Sequence, residues 1–446
     1  MNIDSIIKNN LCTGCGACIS EDQSHQAKMV WNNEGFLIPL LGKSSTQDKM
    51  IKVCPFAIQQ KNEDELGELF LKQPETQYHD KIGYYYRLYA GYSKQFRETS
   101  SSGGIATYVF KILLEQKVVD NLFIVKEVEG QYAYQFFSDV EEITQISKTR
   151  YTPVTLERLF LEISQIDGTV AVSGVACFVK AIRLKQMYDP VLKDKIAFIV
   201  GIICGGLKSR YYTDYLAREA GCEAEYGHAQ YRVKNKESYA LDYKFSCTQI
   251  DNKKIHMVNM QSLGDMWGTG LFKSNACDFC DDVLTELADI SLGDAWIHPY
   301  DKSGLGNSII ITRTKIAETL IQNGLNQEFL SLDPVTEEKI LLSQSGSFNH
   351  RQKGMLYRIM KANKSRKITP KKRDKHLEMQ NILFNLVQNS RLKTRQKSLE
   401  LWLEKFDNLK FKLKMKPHLN ELKFFTLWNH RLIKLKKILL IQKKDS

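Results

Sequence analysis

A chain of 446 residues, 43% of them hydrophobic, belongs among globular proteins of about two to four structural units with a substantial core. Ten cysteines without a charged-then-apolar leader argue against a secreted disulfide scaffold and for a reducing cytoplasm. The net charge of +12 is uneven: of 63 Lys+Arg and 51 Asp+Glu, 27 and 7 fall from residue 351 onward, leaving 36 and 44 before it. A body near −8 and a tail near +20 suggest that the tail meets something anionic while the body does the chemistry.

The chain opens on its most specific signal, Cys12-Thr-Gly-Cys15-Gly-Ala-Cys18, with Cys54-Pro55 far downstream. A C-x-x-C-x-x-C loop aims three thiolates inward from one turn, and Gly14 and Gly16 let the backbone approach a cluster's sulfides. With no fourth cysteine close behind Cys18 and no triplet before Cys54, the pattern predicts one 4Fe-4S cluster on Cys12, Cys15, Cys18 and Cys54. Zinc more often takes two separated C-x-x-C knuckles. Residues 1–62 are therefore expected to form a ferredoxin-like α+β module, with the polar stretch near Lys61-Asn-Glu-Asp-Glu65 beginning a linker.

Beyond it, Leu122–Val125, Val170–Ser173, Ile196–Ile203 and Ser308–Ile311 have strand character and Ile105–Gln116 helix character, an alternation that predicts an α/β core. Ile196–Ile203 is far shorter than the roughly 20 residues that span a bilayer. After Phe348 the sequence is rich in Lys, Leu and Asn and predicts helices interrupted at Pro370 and Pro417.

A second set of thiols, Cys177, Cys204 and the pair Cys277 and Cys280, includes two just past predicted strand ends, the usual ligand rim of an α/β sheet. A second cluster and ordinary buried cysteines both fit that spacing. Cys222 and Cys247 have no partner pattern. The segment Thr99-Ser-Ser-Ser102-Gly103-Gly104-Ile-Ala-Thr107 puts hydroxyls and glycines at a helix start, which suits either a phosphate or a plain helix cap. Asp289-Ile-Ser-Leu-Gly293-Asp294-Ala-Trp296 and Gly306-Asn-Ser308 supply groups for a ribityl or ribose hydroxyl.

Together these segments resemble the coenzyme F420 hydrogenase/dehydrogenase beta-subunit family. The matching order comprises the cysteine module, Ser100–Gly104, Ser173-Gly-Val-Ala-Cys177-Phe, Cys204-Gly-Gly-Leu-Lys-Ser209, Cys277 with Cys280, Asp289–Trp296 and Gly306–Ser308. The resemblance implies an FAD-dependent oxidoreductase with one or two 4Fe-4S clusters, whose bacterial relatives often serve cell-surface polysaccharide pathways. It implies a second cluster on Cys177, Cys204, Cys277 and Cys280. It makes Ser102, Gly103, Gly104, Thr107, Asp294 and Ser308 the flavin candidates, and divides the remaining chain at 63–160, 161–345 and a basic helical tail, 346–446. Two departures stand out: Ala176 and Phe178 replace the Pro and Gln flanking the family's strand-end thiol, and Gly205 replaces a His.

Flavin plus clusters would convert between one-electron and two-electron chemistry, with a ferredoxin-type donor or acceptor at one end and a small-molecule or lipid-linked substrate at the other. No catalytic acid or base can be named; Asp294, His298 and Tyr300 lie near the proposed flavin motif. The alternative is a binding or scaffold protein that keeps the fold and a structural or sensory cluster. In the tail, residues 424, 425, 428, 432, 435 and 439 share one side of a helix edged by Arg431, Lys434 and Lys437. That pattern suits an anionic membrane surface or docking on protein. Nucleic acid is not expected, since no reading module accompanies the charge.

Overall fold

The structure, a computed structural model, describes residues 2–405 and 407–442, with side chains described as far as residue 435. Its organising element is one mixed sheet of eight strands. In chain order these are β1 (Arg87–Ser93), β2 (Asn121–Val128), β3 (Gln131–Phe137), β4 (Val170–Val175), β5 (Ile196–Ile202), β6 (Ile290–Asp294), β7 (Ser308–Thr312) and β8 (Leu330–Pro334). In space they run β8-β1-β7-β6-β5-β4-β2-β3. The central β2, β4, β5 and β6 are parallel, while β7, β1 and β8 on one flank and β3 on the other add antiparallel pairs. All the expected strands form.

Parallel strands covered on both faces call for continuous apolar runs, and Val170, Ala171, Val172, Ile199 and Val200 are fully buried. The helix Ile105–Glu115 packs on one face against Ala171, Phe198 and Ile310. The helix Ala176–Tyr188 covers the other, with Val170, Val172 and Ile199 beneath it and Cys15, Cys18 and Leu66 in the same core. Because the sheet's centre is parallel, the carboxyl ends of β4, β5 and β6 lie on one rim. Cys177, Cys204 and Asp294 stand at those three ends.

The N-terminal residues supply a helix, Ile3–Lys8, the cysteine loop and a hairpin of Lys28–Trp31 on Leu37–Leu40. The stretch expected to open a linker is instead a docked helix, Glu63–Phe70. Asn62 and Glu65 close a capping box at its start, and Glu63 is buried 3.1 Å from Lys180. Between β5 and β6 lies a separate three-stranded antiparallel sheet, Tyr226–Lys234, Tyr243–Gln249 and Ile255–Asn259. A core containing Tyr215, Phe245 and Phe272 joins it to the last two helices through Leu399, Trp402, Phe411 and Met415.

The tail is helical, as expected, with one difference. Pro370 falls in the irregular stretch before Asp374, but Pro417 sits inside the helix Asn408–Gln442, at an exposed position where water can take over the lost backbone rung. Among the described residues, no helix is long and apolar enough to cross a membrane.

Candidate functional site

The thiols of Cys12, Cys15, Cys18 and Cys54 line one cavity of about 390 Å3, part of it open to solvent. Gly14 and Gly16 adopt left-handed φ of 74° and 76°. Beyond allowing the turn, they admit close neighbours: a Cβ on Gly14 would stand 2.8 Å from the Leu37 carbonyl oxygen, and one on Gly16 2.1 Å from Thr155 Oγ1. The loop is tied to the core by the Leu156 amide, which donates to the Cys15 carbonyl at 2.9 Å. The Gly14 N–H points at Cys12 Sγ, 3.4 Å away.

Cys177, Cys204, Cys277 and Cys280 line a second cavity of about 400 Å3, also partly open. Cys177 is the second residue of the helix that follows β4, and Cys204 lies two residues past β5. Cys277 lies within the single turn Ala276–Phe279 and Cys280 caps its end. Gly206 N–H donates to Cys204 Sγ at 3.2 Å and Leu207 N–H to Cys277 Sγ at 3.1 Å. Thr13 and Phe56 line both cavities, so the two thiol quartets share a wall.

Burial raises the pKa of all eight thiols, and neighbouring sulfurs raise most of them further; those of Cys12 and Cys277 are pushed up to about 12. Such thiols become thiolates only on a cationic centre, which deprotonates a coordinating sulfur outright. A closed zinc site holds its sulfurs about 2.3 Å from one ion. Among the described residues, no three Cys, His, Asp or Glu converge in that way, while the sulfurs of each quartet line one cavity.

The flavin candidates gather along the same rim. Ser102 Oγ donates to the Asn307 carbonyl at 3.0 Å. A Cβ on Gly103 would meet Ser308 N at 2.8 Å, and one on Gly104, whose φ is 78°, would meet the Phe96 carbonyl carbon at 2.6 Å. Both glycines are thus required by packing alone. Thr107 is turned inward, its hydroxyl 3.0 Å from Ser147 Oγ. Asp294 accepts from Arg232 Nη1 at 2.5 Å.

Sequence reading missed the cations of this rim. Lys234 donates to the carbonyls of Ser102, at 2.8 Å, and Arg97. Arg97 Nε donates to the Gly306 carbonyl at 2.8 Å. Burial, then the charges of Arg232, Lys148 and Arg97, pulls the Lys234 pKa down to about 7. The Nε atoms of Arg150 and Arg232 are buried without hydrogen-bond partners. Concentrated cations beside a helix start, two of them with an unpaired Nε, fit a phosphate-bearing ligand. They come from three separated segments, and the strand Tyr226–Lys234 that brings two of them carries no local motif.

The departures at Phe178 and Gly205 have structural counterparts. Phe178 is 2% exposed, its ring 6.4 Å from that of Tyr134. Gly205 leaves room for Trp267, whose ring would be 3.0 Å from a Cβ there and which meets Tyr151 edge-on at 4.8 Å. His298 points mainly into solvent, its side chain 75% exposed, and Tyr300 donates to Asp333 at 2.8 Å. Cys222 and Cys247 are buried together in the core beneath the smaller sheet.

A parallel-centred α/β sheet with two thiol quartets and a cationic rim suits redox chemistry. The family model "Coenzyme F420 hydrogenase/dehydrogenase, beta subunit N-term" matches residues 88–160 and its C-terminus counterpart residues 167–338. The chain belongs to this oxidoreductase family, which is known for iron-sulfur and flavin binding. It is 25% identical over 230 residues, 48% of this chain and 74% of the relative, to coenzyme F420 hydrogenase subunit beta of Methanosarcina barkeri. A solved structure of the F420-reducing [NiFe] hydrogenase complex from Methanosarcina barkeri matches with a TM-score of 0.45 and 20% identity, covering 62% of this chain and 95% of that one.

Proposed function

We propose that this chain is an iron-sulfur flavoprotein oxidoreductase, with one 4Fe-4S cluster on Cys12, Cys15, Cys18 and Cys54 and a second on Cys177, Cys204, Cys277 and Cys280. FAD would lie along Ser102, Gly103, Gly104, Asp294 and Ser308, with Lys234 facing its diphosphate. Cubane clusters pass single electrons and flavins exchange one or two, so the pair suits a ferredoxin-type partner at one end and an organic substrate at the other. The observation that carries this reading is the shared wall: Thr13 and Phe56 border both quartets, which keeps the two thiol sites adjacent. Thr107, spent on Ser147, serves the helix start rather than a ligand.

The test is anaerobic purification with iron, acid-labile sulfide and flavin counted per chain, beside a Cys177→Ala, Cys204→Ala double variant. The expected result is about eight irons and one FAD, falling to about four irons in the variant. About four irons in both, without flavin, would favour a binding or scaffold protein with a single cluster.

A second element concerns location. The last helix packs Phe411 and Met415 into the core of the body and also buries Leu422, while Leu409, Leu413, Phe424, Leu427, Trp428 and Leu435 are exposed. At 100° per residue these six cover about 100° of the circumference, bordered by Lys416, Lys423 and Lys434, while Ile433, also exposed, lies off that arc. This outer face suits peripheral attachment to an anionic membrane, where a lipid-linked substrate of a polysaccharide pathway would reside.

A further inference from the structure

The segments matched by the family models end at residue 338, yet the wall of the second thiol cavity does not. His350 and Arg351 line it from a π-helical turn, Asn349–Lys353, beyond the matched region. Arg351 is 6% exposed, and its guanidinium is committed to the site. Nη2 stands 2.5 Å from Cys280 Sγ and also meets the Asp282 carbonyl, Nη1 donates to the Cys204 carbonyl at 2.8 Å, and Nε to the Cys280 carbonyl at 3.1 Å. The turn is itself held: Arg358 Nη2 donates to the Arg351 carbonyl at 3.0 Å, and Gln352 Nε2 to that of Asp281 at 2.9 Å. Burial disfavours the charge on Arg351, but the sulfurs of Cys280 and Cys204, followed by Asp282, outweigh burial and hold it protonated.

We propose that Arg351 is a redox-tuning residue: a fixed cation hydrogen-bonded to one thiolate of the second cluster, which raises that cluster's reduction potential above what the four cysteines alone would set. The proposal rests on the second-cluster reading. Taking up one electron from a ferredoxin-type donor makes the cluster one unit more negative. An N–H···S bond from a permanent cation stabilises that more negative state, and hydrogen bonding to sulfur together with local charge are among the levers that set such potentials. Arginine suits the task because it cannot lose its proton in response to the electron. A raised potential would make the second site the sink for electrons arriving from the first.

The experiment is an anaerobic redox titration followed by EPR on the full-length wild type, Arg351→Gln and Arg351→Lys, with iron counted in each. The expected result is about eight irons throughout, and a second-cluster midpoint in Arg351→Gln lowered enough to change the reduced-to-oxidised ratio at fixed potential by about tenfold, equivalent to about 59 mV for one electron. Arg351→Lys keeps the charge but loses the fork, and should fall between. Should Arg351→Gln fail to retain its iron, Arg351→Lys decides: a lowered midpoint supports the role, an unchanged one overturns it. Eight irons with an unshifted midpoint in Arg351→Gln also overturns it, making Arg351 purely structural. About four irons in the wild type instead defeats the second-cluster reading, and the tuning role with it.

Discussion

Arg373 grips Glu286 with both terminal nitrogens, Nη1 to Oε2 at 2.7 Å and Nη2 to Oε1 at 2.9 Å, and each side chain is at most 2% exposed. Its Nε reaches Asp281 at 3.1 Å, and Lys372 pairs with the same carboxylate at 3.2 Å. Lys375 meets Asp64 at 2.8 Å and Arg395 meets Asp278 at 2.9 Å. Part of the basic tail's anionic partner is therefore the acidic body itself, clasped beside Cys280 and the helix Glu63–Phe70.

Removing one side of a buried ion pair leaves the other uncompensated, which costs about 3–5 kcal/mol. Arg373→Met should therefore lower unfolding stability by that order, read by urea denaturation of the anaerobically purified protein. Adding Glu286→Gln should recover part of the loss. A single variant as stable as wild type would mean that the clasp contributes nothing net.

This clasp also marks the limit of what the sequence discloses. Cysteine spacing and apolar run length are local quantities, and they predicted the first thiol quartet and the strands that present Cys177 and Cys204, whereas spacing left the second quartet open and the family resemblance supplied it. The charge excess after residue 351 is equally plain, but one-dimensional counting cannot tell a charge that faces water from one that faces a carboxylate 87 residues away, as Arg373 faces Glu286. Lys234 and Arg150 stayed hidden for a related reason: a cationic pocket assembled from separate strands has no spacing rule. The outer face of the last helix was partly legible. Phe424, Trp428 and Leu435 are exposed as expected, whereas Phe425 and Leu432 are half-buried and the side chain of Leu439 lies outside the described residues.

Near the first quartet, the Asp22 carboxylate accepts amide N–H groups of Ala27 and Thr46, both at 2.9 Å, and of Gln26 at 3.0 Å. Burial opposes its charge, but the donors of Thr46, Ala27 and Ser24 prevail and hold its pKa well below the usual carboxylate range. A depressed folded-state pKa contributes stability that is complete above the unfolded value of about 4 and lost as pH falls through the folded one. Asp22→Asn should cost about 2 kcal/mol at pH 7, the worth of charge-assisted bonds. The gap from wild type should narrow below about pH 4. A gap independent of pH would assign the loss to geometry rather than charge.

At the flavin rim, Lys234 with a pKa near 7 is largely charged below that pH and largely neutral above it. A diphosphate binds the charged form better, so binding should take up a proton above pH 7 and weaken as pH rises from 6 to 8. Fluorescence quenching of FAD added to flavin-depleted protein measures this. Lys234→Met should bind more weakly at pH 6 and show a flatter profile. An identical slope in the variant would remove Lys234 from the binding site.

The outer face of the last helix makes the membrane proposal separable from the helix's structural role. Phe411 and Met415 already anchor it to the body, so changing only outward residues leaves that docking intact. Leu427→Glu with Trp428→Glu replaces exposed apolar surface on a face bordered by Lys423 and Lys434, and both insertion and attraction to anionic lipid should suffer. Wild type should co-sediment with phosphatidylserine-containing vesicles and much less with neutral ones, and binding should weaken as salt screens the charge. The double variant should remain mostly in the supernatant while retaining wild-type iron and an unchanged unfolding midpoint. Equal pelleting of wild type and variant, or no pelleting of either, would give this face to a protein partner instead.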